Sequence, residues 1–274
     1  MSLSIHAVGE LRKTSRTFFI PIIRLPGKAR DAVGSAYLCM RSIDEIEDHR
    51  GLDAPSKVRL LHRIGEYLDQ SADRGHVEAA PFETLFEPFG KLLPPVTRGL
   101  PGFAQMAPPG IDVQVWSATA GMSLEMGNWV QTNFKIETEQ DLDLYTYDVA
   151  GRVGEMLTRI WKWYDGTEAD MSLAVGFGRC LQTVNIIRNR EEDLSRGVDF
   201  YPTGWTNKDL HCYMLHQADM ADAYMAQLPP GPVREFCRIP LVLAKATLDA
   251  LQSGQSKLSR AEVMELVGPG DGLD

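Results

Sequence analysis

Cysteine is scarce, four in 274 residues, and Cys39, Cys180, Cys212 and Cys237 stand in no metal-ligand spacing. That excludes a disulfide scaffold and a zinc module, and leaves thiols in apolar helical contexts in a reducing compartment. Basic charge is also short: 28 lysines and arginines against 37 aspartates and glutamates leave a net −9. Such a balance argues against nucleic acid as a partner. No apolar run reaches the length needed to span a bilayer, and the first residues lack the basic-then-apolar order of a secretory signal. The expectation is a cytoplasmic protein, although an apolar ligand could bring it to a membrane surface. Alternating β-branched residues are rare. No repeat, low-complexity tract or linker-like stretch divides the chain.

What is present is helix-forming sequence. Apolar residues, 44% of the chain, recur at spacings of three and four. The 16 prolines and 24 glycines fall mostly between those stretches, as at Leu93-Pro-Pro, Ala107-Pro-Pro-Gly and Leu228-Pro-Pro-Gly-Pro. We expect one all-α domain over residues 1–274. Its first helices should run from Ser4 to Phe19, Gly27 to His49, Pro55 to Arg74 and Pro81 to Leu93, with irregular chain from Pro94 to Gly110. Further helices should run from Ile111 to Asn133, Thr138 to Trp163, Glu168 to Arg196, Lys208 to Leu228 and Pro232 to Gly254, and a short one should start near Ser259.

Two polar clusters stand out against this background. At about 100° per residue, Tyr37, Arg41, Asp44 and Asp48 fall on one stripe of their helix, while Glu45 and Glu47 point elsewhere. Gln182, Asn185, Asn189, Asp193 and Arg196 form a second stripe, flanked by the apolar Val184, Ile186 and Ile187. Most charge-rich turns are simply solvated faces. Oxygen donors interleaved with arginines instead suit a hard cation that itself carries a phosphate, since Mg²⁺ is usually held by one or two carboxylates plus substrate phosphates. Two such helices facing each other would bracket a diphosphate. Tyr145 and Tyr147 precede Gly151 and Gly154, glycines that could bend a helix around a cavity. Phe18, Phe19, Trp161 and Trp163 read as core, and none of the six histidines has ligand spacing.

Five ordered segments resemble the squalene/phytoene synthase family of head-to-head prenyl transferases. They are Ser15-Arg-Thr-Phe18; Arg41-Ser-Ile-Asp44-Glu-Ile-Glu-Asp48; Tyr145 through Val149-Ala-Gly-Arg-Val-Gly154; Gln182 to Asp193, continuing through Arg196-Gly197 to Phe200-Tyr-Pro202; and Phe236 to Thr247. The resemblance implies an isoprenoid-synthase helical bundle around a central cavity. It implies Mg²⁺ carried by Asp44, Asp48, Asn185, Asn189 and Asp193, clamping one or two prenyl diphosphates. Tyr145 matches the family's catalytic tyrosine, Arg41 and Arg188 match groups that act on the diphosphate, and Ser15, Phe18, Tyr37, Gln182 and Arg196 match substrate-binding positions. NADPH is left open as a reductant: no dinucleotide fingerprint appears, and squalene-type reduction in this family does not need one. Oligomeric state is left open too.

The chain departs from the family pattern in three places. Asn189 stands where the second motif begins with aspartate; together with Asn185 and Asp193 it is similar to the asparagine–serine–glutamate triad of terpene cyclases, which process one prenyl diphosphate. The tail from Ser256 to Asp274 is acidic at its end where relatives are often basic. Asp148 and Arg152 are unusual within the tyrosine segment. The expected activity is condensation of two farnesyl diphosphates to presqualene diphosphate, squalene or dehydrosqualene. The alternatives are a diphosphatase or terpene cyclase on the same fold, or a prenyl-lipid binding protein without catalysis.

Overall fold

Whether the sequence patterns close into helices depends on their ends, and most are capped where the sequence offers a cap. The computed structural model describes residues 3–15, 17–253, 255 and 258–267. Arg16 and parts of the acidic tail therefore lie outside the described residues. Among those described, the regular structure is all helical, as expected: α1 (Ile5–Thr14), α2 (Phe19–Arg24), α3 (Gly27–Glu47), α4 (Ala54–Arg74), α5 (Ala80–Phe86), α6 (Pro95–Arg98), α7 (Leu100–Gln105), α8 (Asp112–Gln131), α9 (Glu139–Thr146), α10 (Arg152–Asp165), α11 (Met171–Ser195), α12 (Asn207–Gln227), α13 (Pro232–Gln252) and α14 (Arg260–Val267). Ser4, Asp53, Thr138 and Asp170 cap α1, α4, α9 and α11 by accepting backbone N–H bonds through their side chains. Gly75 closes α4 at φ +74°, a left-handed C-cap that glycine takes without a side-chain clash.

Four elements differ from expectation, each for a local reason. The first helix stops at Thr14 rather than Phe19, because Ser15 Oγ accepts the Phe18 N–H at 3.0 Å and turns the chain before α2 starts. The stretch from Pro94 to Gly110 is not irregular; it holds α6 and α7. Each has proline in its first turn, where the missing N–H has no helical partner to lose. The expected helix from Pro81 to Leu93 ends at Phe86 and continues as a 3₁₀ turn over Glu87–Leu92, with Gly90 at φ 50°. The expected helix from Thr138 to Trp163 extends to Asp165 and is interrupted by a π-helical turn at Tyr147–Gly151.

The residues fall into two compact units: Met1–Phe19, Pro26–Asn133 and Arg159–Gly166 form the first, and Ile20–Leu25, Phe134–Thr158 and Thr167–Asp274 the second. In the first, α4 lies against α8 along Leu60, Leu61, Ile64 and Leu68, all fully buried. Each such side chain contributes roughly 1.5–3 kcal/mol of transfer free energy. Closeness is set by Gly65, where a Cβ would meet Leu124 Cγ at 2.5 Å, and by Ser123, whose hydroxyl donates to Leu61 O at 2.7 Å. α3 packs on α1, α6, α7 and α8, and its small residues Ala29, Ala32, Ala36 and Cys39 are fully buried.

In the second unit α11 lies against α12, α13 and the π-turn. A methyl at Gly154 would collide with the Ala174 carbonyl oxygen, and one at Gly178 with that of Ala150. The glycines of the tyrosine segment thus let two helix backbones touch. Trp161 is fully buried, but Phe18, Phe19 and Trp163 are only half-buried, so the expectation of core holds fully for one of the four. None of the four cysteines is in a disulfide; Cys39, Cys180 and Cys237 are buried, whereas Cys212 is exposed on α12, contrary to its expected apolar setting.

Candidate functional site

The first cluster is built in the first unit by α3 and the turn after α1. Ser15, 2% exposed, places its hydroxyl against the Tyr37 phenol, and Tyr37 donates to Thr14 O at 3.1 Å. The Phe18 ring lies 6.0 Å from that of Tyr37. One turn on, Arg41 bonds Glu45 through Nη2 and approaches Asp44 at 3.9 Å through Nη1. Glu45 therefore does not point away from the stripe: an (i, i+4) carboxylate can reach back to a long arginine. Arg41 Nε is buried with no hydrogen-bond partner among the described residues, a donor suited to an anion.

Burial pushes the Asp44 carboxyl up to about 7; Arg41 opposes the shift, while Asp48 and Glu45 add to it. Its side chain keeps 31% of its surface open, so solvent moderates the shift without reversing its direction. Burial also raises the Tyr37 phenol against the pull of Ser15 and Arg41. Asp48 caps α3 and is exposed. Ser15, Phe18, Tyr37, Arg41 and Asp44 are thus brought into one neighbourhood, with Asp48 one turn beyond.

The second cluster lies along α11. Gln182 and Asn185 are half-buried, and Asp193 is 6% exposed and ion-paired with Arg196. Arg188 is exposed, and its Nε donates to the Asn189 carbonyl oxygen at 3.1 Å. That oxygen already serves a guanidinium, so a metal ion there would have to displace it.

Tyr145 is 6% exposed; its ring stacks on Phe200 at 4.6 Å and meets Phe134 edge-on at 6.4 Å. Asn133 and Phe134 both take left-handed backbone at φ 52°, where a bulky side chain is strained. In the π-turn, Arg152 reaches Asp148 at 3.3 Å and lies 5.1 Å over the Tyr147 ring, and Tyr147 donates to Glu155 at 3.3 Å. The glycines therefore serve helix contact, and Tyr147 is spent on a local ion cluster.

Sequence reasoning missed Phe134 and Arg190. Phe134 carries no motif, and its role depends on a ring distant in sequence. Arg190 shares the second motif, but its partners lie in the following loop.

The donor set fits a hard cation. Among the described residues no three His, Cys, Asp or Glu side chains gather into a ready-made metal site. Mg²⁺ does not require one, since it is commonly held by one or two carboxylates with phosphate and water completing the shell. Asp44 with Asp48, and Asp193 with Asn185, supply oxygen donors of that kind.

The squalene/phytoene synthase family model matches residues 11–265. The chain belongs to that family. Human squalene synthase is 27% identical over 271 residues, covering 89% of this chain and 63% of that protein. Squalene synthase of Dictyostelium discoideum is 29% identical over 271 residues, covering 88% and 62%. The chain spans less than two thirds of the length of these relatives. Among solved structures, TcSQS in complex with a ligand is similar at a TM-score of 0.75 and 25% identity, covering 96% of this chain and 84% of that one. A ligand-bound dehydrosqualene synthase, 19% identical, shares the fold at a TM-score of 0.65, covering 96% and 93%. This squalene/phytoene synthase family member therefore has an isoprenoid-synthase helical fold.

Proposed function

We propose that this chain is a Mg²⁺-dependent prenyl transferase that joins two farnesyl-length diphosphates head to head. The observation that carries this reading is the assembly of Ser15, Phe18, Tyr37, Arg41 and Asp44 around one turn of α3, where a donor-rich cation and a recessed carboxylate share an aromatic wall. Asp44, Asp48, Asn185, Asn189 and Asp193 would hold Mg²⁺, which when bound supplies Lewis-acid charge to the leaving diphosphate.

Arg41, Arg188 and Arg196 receive diphosphate oxygens through charge-assisted hydrogen bonds, and Gln182 adds a neutral donor. Phe18 and Tyr37 offer ring faces to the prenyl chain and to positive charge developing on it. In the condensation one C–O bond breaks and releases diphosphate, and the freed carbon bonds to the double bond of the second substrate. One proton then leaves, and the cyclopropyl product keeps the second diphosphate. The Tyr145 hydroxyl is the candidate relay for that proton, its oxygen taking it up as its own O–H proton passes to the released diphosphate, with its ring held by Phe200 and Phe134.

A second reading, a diphosphatase or terpene cyclase acting on one substrate, draws support from Asn189. Its carbonyl oxygen is engaged by Arg188 and it brings no negative charge, so the second cluster has less hold on a second cation. Incubating the purified chain with farnesyl diphosphate and Mg²⁺, with and without NADPH, and analysing products by gas chromatography–mass spectrometry separates the two. A thirty-carbon product supports condensation, and its NADPH dependence distinguishes squalene from presqualene or dehydrosqualene chemistry. A fifteen-carbon alcohol or cyclic hydrocarbon supports the second reading and sinks the first. Reduction to squalene would consume NADPH. Association with a membrane surface through an apolar product, and residence in the cytoplasm, are part of the same proposal; flotation with liposomes and cell fractionation test them.

A further inference from the structure

Arg190 lies between Asn189 and Asp193 on α11, yet its guanidinium is turned into the connection that leads to α12. Nη2 donates to Asp199 Oδ2 at 3.1 Å, Nη1 donates to Asn207 Oδ1 at 3.1 Å, and the plane sits 3.6 Å over the Tyr201 ring. Asp199 is held in turn, accepting the Tyr201 N–H at 3.1 Å. Arg190 Nε is buried without a partner among the described residues, while the side chain as a whole stays half-buried, 30% exposed. A half-buried guanidinium with two donated bonds and a ring beneath it is held in one geometry by the planar fork of its donors.

The clamped connection is unusually buried for a loop: Val198 and Phe200 are each 8% exposed and Tyr201 is 4% exposed. Phe200, between the two clamped residues Asp199 and Tyr201, is the ring that stacks on Tyr145 at 4.6 Å. The side chains on either side of Phe200 are thus tied to a single side chain of α11. Lysine could supply charge at that point, but neither the two-pronged donation nor the planar stacking on the ring.

We infer that Arg190 is a positioning residue: by clamping Asp199, Tyr201 and Asn207 it sets the place of Phe200, and through that ring the orientation of Tyr145. This rests on the proposed function only for its catalytic consequence. The geometric consequence stands apart from it.

The test uses the full chain in two arms. In the first, 3-fluorotyrosine is placed at position 145 and its fluorine resonance is compared in wild type, Arg190→Met, Arg190→Lys and a surface control, Arg238→Met. The clamp predicts a shifted or broadened line in Arg190→Met and Arg190→Lys, and an unchanged line in the control. An unchanged line in Arg190→Met overturns it. Arg190→Lys keeps the charge, so it serves if the methionine variant does not fold.

In the second arm kcat and KM are measured with farnesyl diphosphate. Arg190→Lys should lower kcat about tenfold, less than the roughly hundredfold cost of a full 1 Å misplacement, with KM within about twofold. Phe200→Ala should lower kcat similarly, and the double variant should be no worse than either single one. Unchanged kcat in Arg190→Lys, or losses that multiply in the double variant, overturn the inference. If wild type makes no thirty-carbon product, the proposed function fails while the fluorine arm still decides the clamp.

Discussion

Along α3 the oxygen donors are carboxylates set around one guanidinium; along α11 they are mainly amides beside Arg188, Arg190 and Arg196. Asp44 stays partly open, with Glu45 and Asp48 as like-charged neighbours, and its carboxyl is held up near 7. Asp193 is buried and already ion-paired with Arg196. Similar helical spacing therefore produces two electrostatic objects. The α3 cluster has negative charge that must be neutralised from outside, which suits a metal ion. The α11 cluster carries its own cations and can take up an anion with less help. In an acidic chain, the spacing of donors says where a charged ligand can sit, and the arginines between them say which sign it has.

The largest break in that comparison should come from Asp44→Ala. On the proposed reading, turnover should fall at least about a hundredfold, the scale of losing one key electrostatic contact, with the far-ultraviolet circular dichroism unchanged. Full activity would remove Asp44 from the site. Next comes Gly154→Ala, which drives a methyl into the Ala174 carbonyl and should destabilise the second unit by about 1–3 kcal/mol, read as a lower Tm. A neutral result would mean that α10 and α11 can separate without cost.

A smaller effect follows from Asp44 itself. Its ordinary carboxyl value is 3.8 and the folded value is raised, so the fold favours the protonated form. Metal-free protein should hold that stabilisation fully below about pH 4 and lose it as pH rises through about 7, by on the order of 2 kcal/mol once screening at the open edge is allowed for. Comparing Tm against pH for wild type and Asp44→Asn isolates this; identical profiles count against it. Mg²⁺ affinity should change the opposite way, rising over the same window as the carboxyl ionises.

The smallest expected effect is Asn189→Asp. It should make the α11 cluster more like that of α3, tightening Mg²⁺ about tenfold by calorimetry in the presence of diphosphate. An unchanged affinity would mean that Arg188 neutralises the new carboxylate as it now engages the amide.

Much of this was readable from residue order. The spacing of Tyr37, Arg41, Asp44 and Asp48, and of Gln182, Asn185, Asn189 and Asp193, projects each set onto one helix face wherever the helix is intact. α3, α4, α11, α12 and α13 are long enough for their apolar period to show. Shorter-range competition was harder to read. Ser15 ends α1 through one side-chain bond, and the prolines that look like breakers at 95 and 101 instead start helices. The Phe134–Tyr145–Phe200 cluster joins residues tens of positions apart, and the Arg190 clamp needs a loop to return to its helix; neither leaves a local period.

The π-turn at Tyr147–Gly151 has one more consequence. It is in effect a single residue added to an otherwise regular helix, and one residue is worth about 100° of rotation. The first turns of α10, up to Thr158, are dialled round by that angle relative to Tyr145, and this sets the bare edge at Gly154 against the neighbouring backbone. Excising any one residue between 147 and 151 would turn the dial back and bring a side chain to where only glycine fits. A chain shorter by one residue there would be more damaged than one carrying any conservative substitution in the same stretch.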